Sequence, residues 1–219
     1  MQKLKPIKFG PYNLDLLPSL KISDLNLELK SKITHFWGEN GVGKSTVMNL
    51  IIDELLIRKI NFSFVNQNYR QNWLWWYGIA KNLSLAAGLK NEKDIYDLPE
   101  VKDQWSWLEK LLMGKTKPTN FAKVDELASI NLSGGQLQRL ILFREILRKP
   151  KFLLLDEVFS ALDKAVVKEL IEWLLGEQQK LGFRIIAISH DSEILEMLPG
   201  EVLDFSKDDQ AILSLKSRI

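Results

Sequence analysis

The chain contains no cysteine. That excludes disulfides, thiolate-held zinc or iron–sulfur clusters and a cysteine nucleophile, and it fits a reducing compartment. Charge of either sign in excess is also lacking: 30 Lys+Arg against 28 Asp+Glu leave a net charge of +2. Such a balance argues against a surface that holds polyanions by bulk charge. No apolar run approaches the roughly 20 residues that cross a bilayer, and the start MQKLKPIKFGPYN has no signal-peptide core. Work at a membrane would need another chain to supply the span. Internal repeats and low-complexity segments are absent as well.

What is there is ordinary for a globular protein: 46% hydrophobic residues, 26% charged residues and a mean hydropathy of −0.10. A chain of this size can bury about 70% of its unfolded surface, enough for one substantial core. From residue 1 to about 67, strand-like stretches (Leu20 to Leu29, Lys32 to Trp37, Ile60 to Val65) flank a helical pattern over Ser45 to Arg58. From about 68 the composition shifts, and five of the seven tryptophans (Trp73, Trp75, Trp76, Trp105, Trp107) fall between there and residue 129. This predicts an inserted, mainly helical part over about 68–148, including helical stretches at Val101 to Met113 and Gly134 to Arg148. The apolar run Phe152 to Leu155, a helix from Asp163 to Leu181 and a strand from Phe183 to Ser189 complete the pattern. Strands alternating with helices predict an α/β fold with a mainly parallel sheet and right-handed crossovers.

Three motifs carry chemistry. Gly38-Glu39-Asn40-Gly41-Val42-Gly43-Lys44-Ser45-Thr46 has phosphate-loop spacing and lies between a predicted strand and a predicted helix. Its glycines let successive backbone N–H groups face phosphate oxygens at a helix N-terminus; Lys44 would reach the β- and γ-phosphates and Ser45 would ligate Mg²⁺. Phe152 to Glu157 is an apolar strand delivering two adjacent carboxylates, Asp156 for Mg²⁺ and Glu157 for water. Leu132-Ser133-Gly134-Gly135-Gln136 is a second glycine-rich, helix-opening turn, with Ser133 as N-cap, and a second anion site within a chain that already has one.

In this order the motifs resemble those of the ABC (ATP-binding cassette) ATPases over nearly the whole chain. GENGVGKST looks like their Walker A, LSGGQ like their signature, FLLLDE like their Walker B, and Ser160-Ala161-Leu162-Asp163 like their D-loop. The resemblance implies one P-loop NTPase domain: a RecA-like core over 1–67 and about 130–219, an N-terminal antiparallel β part and the helical insertion. It also implies that Gln67 is the Q-loop glutamine acting on Mg²⁺ and water, that His190 is the switch histidine and that Tyr12 stacks on adenine. Ser133, Gly134, Gly135, Gln136 and Asp163 would complete the site of a second subunit, with ATP and Mg²⁺ as cofactors. Val158 stands where many members have proline, which predicts a looser turn after the carboxylates.

The implied work is that of a cytoplasmic ATPase subunit, a homodimer or heterodimer, beneath integral membrane permease subunits that dock through Trp73 to Tyr77. The alternative is a soluble ABC-type switch acting on nucleic acid or the ribosome. No zinc cysteines, no long heptad insertion and a modest charge stand against it, and no direct nucleic-acid contact is expected. The short stretch from Val202 to the end predicts no added regulatory domain.

Overall fold

The computed structural model describes residues 5–16, 19–75, 77–103, 132–160, 162–208 and 211–218. Two antiparallel strands, β1 (Ile7–Leu16) and β2 (Leu20–Leu29), open the chain. They are followed by β3 (Ile33–Trp37), α1 (Lys44–Ile57) and β4 (Phe62–Val65). The inserted part shows α2 (Ile79–Ala86), α3 (Pro99–Asp103) and short 3₁₀ turns. The predicted helix at Val101 to Met113, with Trp105 and Trp107, lies largely outside the described residues. After it come α4 (Gly134–Leu147), β5 (Phe152–Asp156), α5 (Lys164–Leu181), β6 (Arg184–Ile188), α6 (Ser192–Met197), β7 (Glu201–Lys207) and β8 (Leu213–Arg218).

The main sheet runs β4-β5-β6-β3-β7-β8, parallel throughout except for β8, which returns antiparallel on β7. Its central strands are apolar on both faces because both faces are covered. On β5, Phe152 and Leu154 pack toward α1 and the β1–β2 ribbon, whereas Leu153 and Leu155 pack toward α2, α4 and α5. β6 divides in the same way, Ile186 and Ile188 against Ile185 and Ala187. Helix α4 is not confined to the insertion: the Ser63 hydroxyl of β4 donates to the Glu145 carbonyl at 3.0 Å, and one apolar cluster runs from Ile79 and Leu83 of α2 through α4 to β5.

Strand order decides where chemistry can occur. The carboxyl ends of β3, β4, β5 and β6 lead into Gly38, Gln67, Glu157 and His190 respectively, so four distant segments open on one edge of the sheet. A network ties α1 to the ribbon: Glu54 accepts from the Gly10 N–H at 3.0 Å and from the Tyr12 hydroxyl, and pairs with Arg58. Arg184, buried and near the Glu201 carboxylate, donates to the carbonyls of Lys5, Leu29 and Ser31 and pins the ribbon's root to the main sheet.

Candidate functional site

The turn after β3 wraps around Lys44. Gly38, Gly41 and Gly43 have φ of 143°, 73° and 112°, the range that glycine tolerates and other residues resist. Gly38 also admits no side chain, because a Cβ there would lie 2.4 Å from the Phe205 carbonyl oxygen. Lys44 is buried, and its ammonium donates at 2.8 Å to the carbonyls of Gly38 and Glu39. Burial lowers its pKa, opposed by the nearby Glu157 and Asp156 carboxylates. The first N–H groups of α1 open toward the same space and bring the positive end of the helix dipole.

Asp156 ends β5, where burial raises its pKa while a hydrogen bond with the Ser45 side chain opposes the rise. A hydroxyl and a carboxylate are thus in contact at the foot of the loop, two hard oxygen donors of the kind Mg²⁺ takes. Glu157 is held at φ 52°, a left-handed conformation rare outside glycine. Its N–H donates to the Ile188 carbonyl at 3.1 Å, and its own carbonyl accepts from the N–H of Ser160 at 3.3 Å and the Ser160 hydroxyl at 2.9 Å. Its carboxylate lies between His190 Nε2 at 2.8 Å and Gln67 Nε2 at 3.2 Å. Val158 is buried in the core behind it, so the turn is anchored by an apolar side chain where looseness was expected.

A cleft of about 240 Å³ is lined by Asn40, Gly41, Gly43, Lys44, Ser45, Thr46, Glu157 and His190, with Leu16, Ser19 and Leu20 from the ribbon. Val42 is buried under the loop, and Glu39 is exposed beside it. Tyr12 does not reach this cleft. It is 9% exposed, its hydroxyl is committed to Glu54, and burial and that carboxylate hold its pKa well above the usual range. The exposed apolar ribbon residue at the cleft is instead Leu16, which the sequence did not single out. Lys207, also overlooked, donates to the carbonyls of Gly41 at 3.3 Å and Ser19 at 3.4 Å, joining the loop to the ribbon.

The second glycine-rich turn lies apart from the cleft, which none of Ser133, Gly134, Gly135 and Gln136 lines. Ser133 and Gln136 form a reciprocal cap: the Ser133 hydroxyl accepts from the Gln136 N–H at 3.2 Å, and the Gln136 side chain accepts from the Ser133 N–H at 2.9 Å. A Cβ at Gly135 would lie 3.1 Å from the Leu162 side chain, so this turn abuts the segment after Glu157. Asp163 is exposed at the N-cap of α5. Of the aromatic run, Trp73 is 1% exposed and stacks under the Arg144 guanidinium, 5.7 Å from ring to charge. It is a core residue and unavailable for docking. Trp75 and Tyr77 are 38% and 40% exposed, and Trp76 lies outside the described residues.

A glycine-wrapped lysine at the end of a central parallel strand, with a carboxylate pair at the end of the strand two places along, defines a P-loop α/β nucleotide-binding fold. Solved structures agree in fold. A nucleotide-free ATP-binding cassette from an ABC transporter aligns over 97% of this chain and 91% of its own, with a TM-score of 0.65 at 14% identity. A transporter of the same kind in an inward-facing conformation aligns over 97% and 83%, with a TM-score of 0.67 at 19% identity. The family described as ABC transporter matches residues 22–160, and this chain belongs to that family. Among curated relatives, the sulfate/thiosulfate import ATP-binding protein CysA of Mannheimia succiniciproducens is 30% identical, covering 78% of this chain and 51% of its own. The zinc import ATP-binding protein ZnuC of Haemophilus influenzae is 28% identical over 90% and 70%. The spermidine/putrescine import ATP-binding protein PotA of Clostridium acetobutylicum is 32% identical over 78% and 50%. The chain spans about half the length of most of these relatives.

Proposed function

We propose that this chain binds and hydrolyses ATP as the nucleotide-binding subunit of a membrane importer. The relatives named for import support that reading over a switch acting on nucleic acid. The observation that carries hydrolysis is the Glu157 carboxylate, directed at the phosphate-loop cleft and flanked by His190 and Gln67. The triphosphate would lie along the N–H groups of Gly41 to Thr46, with Lys44 exchanging its two carbonyl partners for phosphate oxygens. Ser45, Asp156 and Gln67 would hold Mg²⁺, whose chemistry there is neutralisation of phosphate charge. Glu157 would accept the proton of the attacking water while His190 and Gln67 keep the γ-phosphate in line. The base would rest on Leu16, since Tyr12 is turned into the core.

Ser133 to Gln136 and Asp163 do not line their own cleft, which supports a composite site in which two copies close head to tail, each lending its second glycine-rich turn to the other's ATP. Membrane attachment would run through the surface of Trp75, Tyr77 and Leu85, 38%, 40% and 45% exposed. From Asn66 to Lys90 the sequence has no acidic residue and three basic ones, Arg70, Lys81 and Lys90. Exposed apolar side chains in a segment whose own charges are all basic suit a short permease helix that carries an acidic side chain, at the inner face of the membrane.

The test is steady-state turnover with nucleotide binding measured on the same samples. Glu157→Gln should keep ATP binding and lose roughly 10²–10⁴-fold in kcat, the usual share of a general base. Turnover retained in Glu157→Gln overturns the assignment. Lys44→Ala should lose binding itself.

A further inference from the structure

The loop that presents Trp75 and Tyr77 is fastened from more than one side. Asn82, one turn into α2 and 1% exposed, commits its whole side chain to that loop. Its Oδ1 accepts from the Leu74 N–H at 3.1 Å, and its Nδ2 reaches the carbonyls of Leu74 at 3.1 Å, Gly78 at 3.1 Å and Tyr77 at 3.3 Å. The Tyr77 N–H closes the turn on the Leu74 carbonyl at 3.0 Å. On the upstream side Trp73 is buried, and the Trp75 indole N–H donates to the Arg70 carbonyl at 3.1 Å. These contacts hold the chain at Trp73, Leu74, Trp75, Tyr77 and Gly78, yet Trp75 and Tyr77 remain exposed.

A buried amide is an effective clamp because it cannot leave without stranding its own polar atoms and those of the loop. Trp75 keeps over a third of its surface accessible even with its indole N–H bonded to the Arg70 carbonyl, so what the clamp orders includes a ring that a partner can reach. A partner that meets a loop already ordered loses less conformational freedom on binding and binds more tightly for the same contacts. We infer that Asn82 is the positioning residue of the docking surface, holding Trp75 and Tyr77 in the arrangement the permease helix recognises. The inference rests on the docking reading above, and it adds that affinity comes partly from a residue no partner touches.

Two measurements test it on the full chain: amide hydrogen exchange, and rebinding of purified protein to urea-stripped membrane vesicles from the source cells, with Trp75→Ala alongside. Asn82→Ala should speed exchange at Leu74 and Tyr77 by on the order of tenfold, leave α4 protected, and weaken vesicle binding about tenfold, as loss of preorganisation does. Combined with Trp75→Ala, it should add little to the loss from Trp75→Ala alone, since both act through one surface. Faster loop exchange with unchanged vesicle binding, or fully additive losses, overturns the role of Asn82 and leaves the docking reading intact. Unchanged binding by Trp75→Ala overturns the docking reading, and this inference with it. If Asn82→Ala also exposes α4, Asn82→Asp takes its place. It keeps the acceptor for the Leu74 N–H, removes both donors, and should move loop exchange and vesicle binding in the same direction.

Discussion

Single side chains decide two properties of this cassette. In the proposed site Leu16 would offer the base an aliphatic surface and no hydrogen-bonding group, so removing it should weaken binding without touching the phosphates. Leu16→Ala should raise KM for ATP roughly tenfold, the effect of about 1.4 kcal/mol of lost apolar contact, with kcat little changed, in steady-state kinetics. His35 is the other case. It sits in β3 at 1% exposure, with Nε2 on the Leu198 carbonyl at 2.6 Å and Nδ1 unpartnered, and burial lowers its pKa from 6.5. Because the folded state keeps the neutral ring while the unfolded chain takes up a proton, stability should be full above 6.5 and fall as pH drops below it, until the lowered folded value is reached. Urea unfolding at a series of pH values should show this slope in the native chain, and a smaller one in His35→Leu.

Elements differ in how openly the sequence displays them. The phosphate loop, the β5 carboxylates and the capped start of α4 were legible because each is local: a few residues fix both conformation and chemistry. Strand faces in β1 were not. Register shifts between Phe9 and Tyr12 and between Tyr12 and Leu14 break the two-residue alternation, and this turns Tyr12 inward and leaves Leu16 exposed. In the aromatic run no period separates the buried Trp73 from the exposed Trp75, because neither lies on a regular element and what sorts them is Asn82 and Arg144 from other helices. Strand β8 was missed because its partner β7 looked only like a chain end, though Leu203 and Phe205 face Ser217 and Leu215 across the pair. That hairpin matters to the site, since the Phe205 carbonyl abuts Gly38. Gly38→Ala should cost about 1–3 kcal/mol in chemical denaturation, more than a surface glycine such as Gly88, which has nothing within 4 Å of a Cβ.

At the scale of the whole molecule, motif order gave the architecture of a P-loop domain, and the sheet order explains why: five parallel strands whose carboxyl ends share an edge gather residues as far apart as Gly38 and His190. What order alone did not reveal is how the described part of the insertion joins the core, through a single apolar cluster spanning α2, α4 and β5. A composite site predicts that Glu157→Gln with ATP and Mg²⁺ elutes as a dimer in size-exclusion chromatography. Gly135→Asp, which sets a carboxylate where a phosphate should approach, should return it to a monomer.

The ammonium of Lys44 rests on the Gly38 and Glu39 carbonyls, so the loop's shape is tied to its own lysine. Phosphate binding at Lys44 would exchange one set of oxygen partners for another. The strength of that binding would then report a difference between two satisfied sets of partners, and a change to the loop could alter it from either side.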